Sequence, residues 1–239
     1  MKARLSKLGV VMLVIGLIFG TAGVYAYTQV QNGYDSLQAF SEAQNVTLSY
    51  NDEGQLIDRG TTEGADAILT LLENDWNYPV VEGDLNPDDP LVNTGTEYMY
   101  QMATIIHHVV DGTQEVVLTE GVTYDGVFYE AGTHTFEVDG RYWTDFDRMH
   151  PIEGPARGQA WSGTVHGLVG ELGVGTVTHS TLQMGLGLSG LLAGVGATFV
   201  LMGGGLVWAT REREDDMLFE VPDTVPTDLL DSKPEDALV

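Results

Sequence analysis

Residues 8–27 and 182–208 are almost unbroken apolar runs containing no Asp, Glu, Lys, Arg or His. Each is long enough to cross a bilayer as a helix, which takes about 20 residues. Between them the apolar positions become periodic, first with helical and then with strand spacing. Beyond residue 213 the periodicity fades. The pattern divides the 239-residue chain into a basic N-terminus (1–7), a first transmembrane helix (8–28), a central domain (29–180), a second transmembrane helix (181–209) and a tail (210–239).

In the central region, Tyr34, Leu37 and Phe40, continued by Ala43, form a loose helical stripe that extends the first apolar helix outward. Val46, Leu48 and Tyr50 alternate with polar residues, and the turn cluster at residues 51–54 leads to Leu56 and Ile57, which predicts a hairpin. Thr61 and Thr62 offer a helix start, and Ala65, Ile68, Leu69, Leu72 and Trp76 share one helix face. Thr94 followed three residues later by Glu97 is a capping box, in which each side chain satisfies an N–H at the helix start. It opens a helix with Tyr98, Met102, Ile105, Ile106 and Val109 on its apolar face and Gly112 at its stop.

From residue 115 to 144 the period changes to two. Asp125-Gly126 and Asp139-Gly140 separate runs rich in Val, Tyr, Phe, Thr and Trp, and this dipeptide accepts the positive φ angles of tight turns, predicting a β-meander. Residues 155–172 then place Trp161, Val165, Leu168 and Leu172 on one helical face. The expected fold class is therefore α+β: an extracytoplasmic antiparallel meander with helices, inserted between two transmembrane α-helices.

Charge sets the orientation. Lys2, Arg4 and Lys7 precede the first run and Arg211 and Arg213 follow the second, and basic flanks are retained on the cytoplasmic side. Both termini are expected inside, with residues 29–180 outside the plasma membrane. Tyr25, Tyr27 and Trp208 stand where aromatic rings favour headgroup depth. Val24-Tyr25-Ala26 also resembles a secretory cleavage site, but the apolar stretch before it exceeds the usual signal core of about 7–15 residues, so retention is the reading adopted.

The net charge of −25 is concentrated outside the spans. Residues 28–180 hold 25 Asp and Glu against Arg59, Arg141, Arg148 and Arg157, with no lysine. Such a surface repels nucleic acid and anionic headgroups. It suits a saline setting, where counterions screen carboxylate repulsion, or the capture of cations or a basic partner. The absence of cysteine removes disulfides, thiol nucleophiles and thiolate metal sites.

Gly16 and Gly20 in the first span, and Gly190 and Gly194 in the second, form GxxxG patterns that let helix backbones approach. They predict that the two spans pack on each other. Neither span carries an ionisable residue of the sort that pumps and transporters place there.

Candidate chemistry is sparse. Residues 185–190 satisfy GxGxxG but lie inside an apolar span without a βαβ context, so no dinucleotide site is read there. No nucleophile elbow, HExxH or P-loop pattern is present. Asn45-Val46-Thr47 is formally a glycosylation triplet. Asp84, Asn86 and Asp88 supply oxygens at alternate positions like the start of a Ca²⁺ loop, the sole cofactor candidate, although Asp89 replaces the turn glycine and Gly95 the bidentate glutamate.

All six histidines fall between His107 and His179. Asp145, Asp147 and His150 form the densest mixed cluster, a candidate transition-metal site or acid/base pair. Tyr124, Tyr129, Tyr142 and Trp143 serve either a binding face or cross-strand packing. In the tail, carboxylates and prolines surround two short apolar islands, residues 217–219 and 229–230, and predict a segment without its own fold.

These features favour a non-enzymatic two-pass membrane protein whose outer domain binds a partner, as accessory subunit or scaffold. Its expected partners are the lipid bilayer and another membrane or envelope protein, or a second copy of itself, and not nucleic acid. The alternatives are an extracytoplasmic ligand or cation sensor, and a metal-dependent hydrolase centred on Asp145, Asp147 and His150.

Overall fold

The structure, a computed structural model, describes residues 2–211. The tail segment 214–239 and its two apolar islands lie outside the described residues. The chain forms five α-helices and three small antiparallel sheets of two strands each among the described residues. Helices α1 (Lys2–Gln44) and α5 (Gly163–Thr210) are both long and apolar enough to cross a membrane. At about 1.5 Å per residue, their 43 and 48 residues each reach more than twice the hydrocarbon thickness of about 30 Å. The chain divides into two compact units, one comprising residues up to 22 and from 192 onward, the other residues 23–191.

In the first unit the two helices meet where side chains are missing. A Cβ added at Gly9 would fall 2.7 Å from the Gly203 carbonyl oxygen, and one at Gly16 would fall 2.7 Å from that of Gly196. A Cβ on Gly196 would in turn strike the Gly16 carbonyl at 2.8 Å and the backbone of Gly20. Gly9 and Gly16 on α1, and Gly196 and Gly203 on α5, stand seven residues apart, the repeat of a left-handed supercoil, and Gly20, four residues beyond Gly16, also lies against Gly196. Buried positions of α1 keep that spacing through Gly9, Gly16, Gly23, Val30 and Leu37.

The second-span glycines are not those that the GxxxG pattern nominates. Gly196 and Gly203 make the approach, while a Cβ on Gly190 or Gly194 would meet nothing within 4 Å. Helical geometry explains the difference. At about 100° per residue, Gly194 lies about 200° and Gly190 about 240° around the helix from Gly196, away from the facing backbone.

The second unit is built around Tyr98. Its helix α3 (Gly95–Val110) starts with the expected capping box: Glu97 N–H donates to the Thr94 hydroxyl and the Glu97 carboxylate accepts from Thr94 N–H. The Tyr98 ring lies against Gly175 of α5, so closely that a Cβ there would sit 2.7 Å from ring carbons. Its hydroxyl hydrogen-bonds Ser41 of α1 at 2.7 Å. Around it pack Leu37, Leu48, Ile68, Leu72, Val92, Tyr100, Ala103 and Leu172. Each fully buried Leu or Ile contributes about 1.5–3 kcal/mol. Helix α3 buries more of its circumference than one stripe, adding Thr96, Glu97, Tyr100 and Ala103, because neighbours cover it on several sides.

Hairpin β1 (Ser49–Tyr50) and β2 (Leu56–Ile57) forms as its turn cluster predicts, with Asn51 Oδ1 accepting the N–H groups of Glu53 and Gln55. Helix α2 (Thr62–Thr70) is capped by Thr61, but a π turn at Leu71–Asp75 replaces its expected last turn. The long helix expected after Pro155 is two. Helix α4 (Glu153–Ala160) stops at Trp161, whose φ of −97° and ψ of 57° leave the helical region, and α5 begins at Gly163.

The meander expected over 115–144 is a nested ribbon. β3 (Thr113–Leu118) pairs with β6 (Gly132–Glu137), and β4 (Val122–Tyr124) with β5 (Val127–Tyr129) inside it. Asp125 and Gly126 have φ of 48° and 80°, the positive pair of a type I′ turn, and close the tip. Asp139 and Gly140 also adopt positive φ, yet no third strand follows. Gly140 N–H instead donates to the Val110 carbonyl, returning the chain to the end of α3.

Candidate functional site

The loop between β6 and α4 gathers most of the candidate polar chemistry. It is pinned by a small core in which Ile152 and Ala156 pack with Val116, and by a second containing Val138, Phe146, Ala160 and Trp161. Gln159 of α4 also donates to the Glu115 carbonyl of β3.

His150 serves the helix start. Its Nδ1 lies 3.1 Å from both Ile152 N and Glu153 N, accepting two N–H groups that the first turn of α4 cannot satisfy internally. With Nδ1 accepting, the neutral ring carries its proton on Nε2 and donates to the Tyr129 hydroxyl at 2.9 Å. The rings of Tyr124 and Tyr129 stand edge-on to the imidazole, at 5.3 and 5.0 Å.

Asp147 accepts from the Tyr124 hydroxyl at 2.7 Å and from Met149 N–H at 2.9 Å. The tyrosine hydrogen bond, then the backbone one, hold its carboxyl below the usual carboxylate range. Asp145 accepts from Tyr142 N–H and from the Thr144 hydroxyl. The three residues are therefore neighbours, and each is engaged by hydrogen bonds from the loop itself or from Tyr124 and Tyr129 of the adjoining hairpin. Tyr124 and Tyr129 act here as hydrogen-bonding partners as well as packing groups.

The residues that order this loop were not singled out by spacing. Glu153 Oε1 accepts from Arg141 Nη1 at 2.7 Å and from Asp147 N–H at 2.8 Å. The Arg141 guanidinium also lies over Phe136 and Phe146, 5.0 and 5.7 Å from their centroids. Arginines alternating with aromatics along 136–157 were the available signal.

Asp84, Asn86 and Asp88 occupy a short 3₁₀ turn (Glu82–Asp84) and the loop after it. The Asn86 side-chain oxygen accepts Asp88 N–H at 3.0 Å, which directs it into the turn. No set of three or more His, Asp or Glu side chains poised to hold a metal ion occurs among the described residues. His107 instead pairs with Asp111 at 2.8 Å and His108 with Asp58 at 3.0 Å. His179 lies edge-on to Tyr34, and burial lowers its pKa below the ordinary imidazole value.

A largely apolar groove of about 570 Å³ runs between α1 and α5 within residues 23–191, walled by Gly33, Leu37, Phe40, Val174, Gly175 and Thr178, with Ser36 and Glu171 completing its lining. Phe40 and Val174 leave 46% and 67% of their surface exposed. Gly33 and Gly175 on its walls leave room behind them for Leu182 and for the Tyr98 ring. Compared with protein-family models, with curated protein sequences and with solved structures, the chain has no significant match.

Proposed function

We propose that this chain is a two-pass integral membrane protein of the plasma membrane, with both termini cytoplasmic and residues 29–180 outside, that binds another membrane or envelope protein without catalysing a reaction. The groove between α1 and α5 carries this reading. Its walls are helical and apolar, with large side chains exposed, which is the form of a surface that accepts an amphipathic or membrane-proximal helix. The self-contained hydrogen bonding of Asp145, Asp147 and His150 gives weaker support to the metal-dependent hydrolase.

The test is gentle extraction from the native membrane followed by native mass measurement. A stoichiometric complex that dissociates in the double variant Phe40→Asp, Val174→Asp supports the reading. A lone monomer, or a complex indifferent to both substitutions, overturns it.

A further inference from the structure

Across residues 28–180, 25 carboxylates face four arginines, and Arg141 has a counter-ion in Glu153. Arg59, Arg148 and Arg157 have none among the described residues, and of these Arg148 and Arg157 lie together. The neighbouring carboxylates are turned elsewhere: Asp147 to Tyr124 and Met149, Asp145 to Tyr142 and Thr144. Both guanidiniums gather instead on one indole. The Cζ of Arg157 lies 3.0 Å from the Trp143 ring centroid and that of Arg148 lies 5.8 Å from it, while His166 packs edge-on against the same ring at 4.7 Å.

Arg157 is fixed in place and incompletely used. Its Nε donates to the Trp143 carbonyl at 2.9 Å, but its Nη2 is buried with no hydrogen-bond partner. A buried donor left unpaired is costly, and more so when charged. Desolvation, and then repulsion from Arg148, lower the pKa of Arg157 from its ordinary value. Two like charges thus share one ring in a region otherwise dominated by the opposite charge.

We propose that Trp143, Arg148 and Arg157 form a binding site for a small solute bearing an oxyanion, namely a carboxylate, phosphate or sulfate group. The exposed guanidinium of Arg148 is a planar fork that matches such groups in a bidentate manner, while Arg157, with Nε bonded and Nη2 buried, adds its positive charge beside it. Stacking on Trp143 holds the Arg157 plane before the ligand arrives. The surrounding carboxylates restrict the ligand to one or two negative charges, since a nucleic acid or an anionic membrane would meet repulsion over the rest of the surface. The site shares no residue with the apolar groove, so its test is independent of the partner reading.

The full chain in neutral detergent is titrated with sodium phosphate, sulfate and acetate against chloride at constant ionic strength, following tryptophan fluorescence and heat of binding. Saturable binding of at least one of the three is expected. Arg148 is exposed, so Arg148→Gln retains the fold, and it is expected to weaken binding about ten-fold, the loss of one charge-assisted hydrogen bond. Arg157→Lys keeps the charge and is expected to retain binding, while Arg59→Gln leaves it unchanged. Absence of saturable binding by all three anions, or binding that Arg148→Gln does not alter, overturns the proposal, and Arg148→Gln decides alone if Arg157→Lys does not fold.

Discussion

Each of the two compact units coheres internally, and by opposite means. Where α1 and α5 meet up to residue 22 and beyond residue 192, cohesion comes from missing atoms: Gly9, Gly16, Gly196 and Gly203 bring backbone against backbone. Within residues 23–191 it comes from bulk and hydrogen bonds, with Tyr98 filling the space beside Gly175 and reaching Ser41. Under the proposed topology the first unit lies in lipid, where the hydrophobic effect does not distinguish a neighbouring helix from a lipid tail and close dispersion contact has to supply the attraction. In water, aromatic burial supplies it.

The largest effect is expected from removing bulk where bulk matters. Tyr98→Ala should destabilise residues 23–191 by about 3–5 kcal/mol, measured as loss of near-ultraviolet dichroism on heating. Adding bulk in the other unit is next. Gly196→Ile should cost about 1–3 kcal/mol by overpacking against the backbone of Gly16 and Gly20, read as a lower midpoint in an SDS titration of helicity. Gly190→Ile, whose added Cβ meets nothing within 4 Å, should stay within about 0.5 kcal/mol. Equal effects at Gly190 and Gly196 would remove the contrast.

A smaller loss, about 1 kcal/mol, is expected for Thr94→Ala, which removes the acceptor for Glu97 N–H at the start of α3. Thermal unfolding checks it. The smallest effects concern pH. His179, whose pKa burial lowers, contributes stability that is complete above the ordinary imidazole value of about 6.5 and is lost as pH falls through its lower folded value. The Asp84 carboxylate opposes that shift. Asp147 behaves alike at lower pH: its contribution is present above the ordinary carboxylate value and is lost as pH falls through its lowered one. Tyr124→Phe should erase the Asp147 part of the acid limb in a pH series of melting temperatures, and His179→Leu the other.

Elements written in local chemistry were legible from sequence. The two apolar runs, the Thr94 and Glu97 capping box and the Asp125-Gly126 turn each depend on residues a few positions apart. Features decided by distant partners were not. Asp139-Gly140 has the same dipeptide and the same positive φ as the hairpin turn, but it leads back to α3 because β6 already pairs with β3. The four-residue pair Gly16 and Gly20 does meet α5, whereas on α5 the register between the helices selects Gly196 and Gly203, seven residues apart, over Gly190 and Gly194. His150 carried the signature of a ligand until Ile152 and Glu153 presented their N–H groups to it. The paired arginines at Trp143 were hidden because Arg148 and Arg157 are separated by the loop's own turn and by the start of α4.

The lysines of this chain are Lys2, Lys7 and Lys233, so a stretch of more than two hundred residues offers no ε-amine. An acylating reagent that cannot permeate lipid therefore reports sidedness without any engineered tag. Under the proposed topology, these amines remain unmodified in intact cells and react once the opposite leaflet is opened to the reagent.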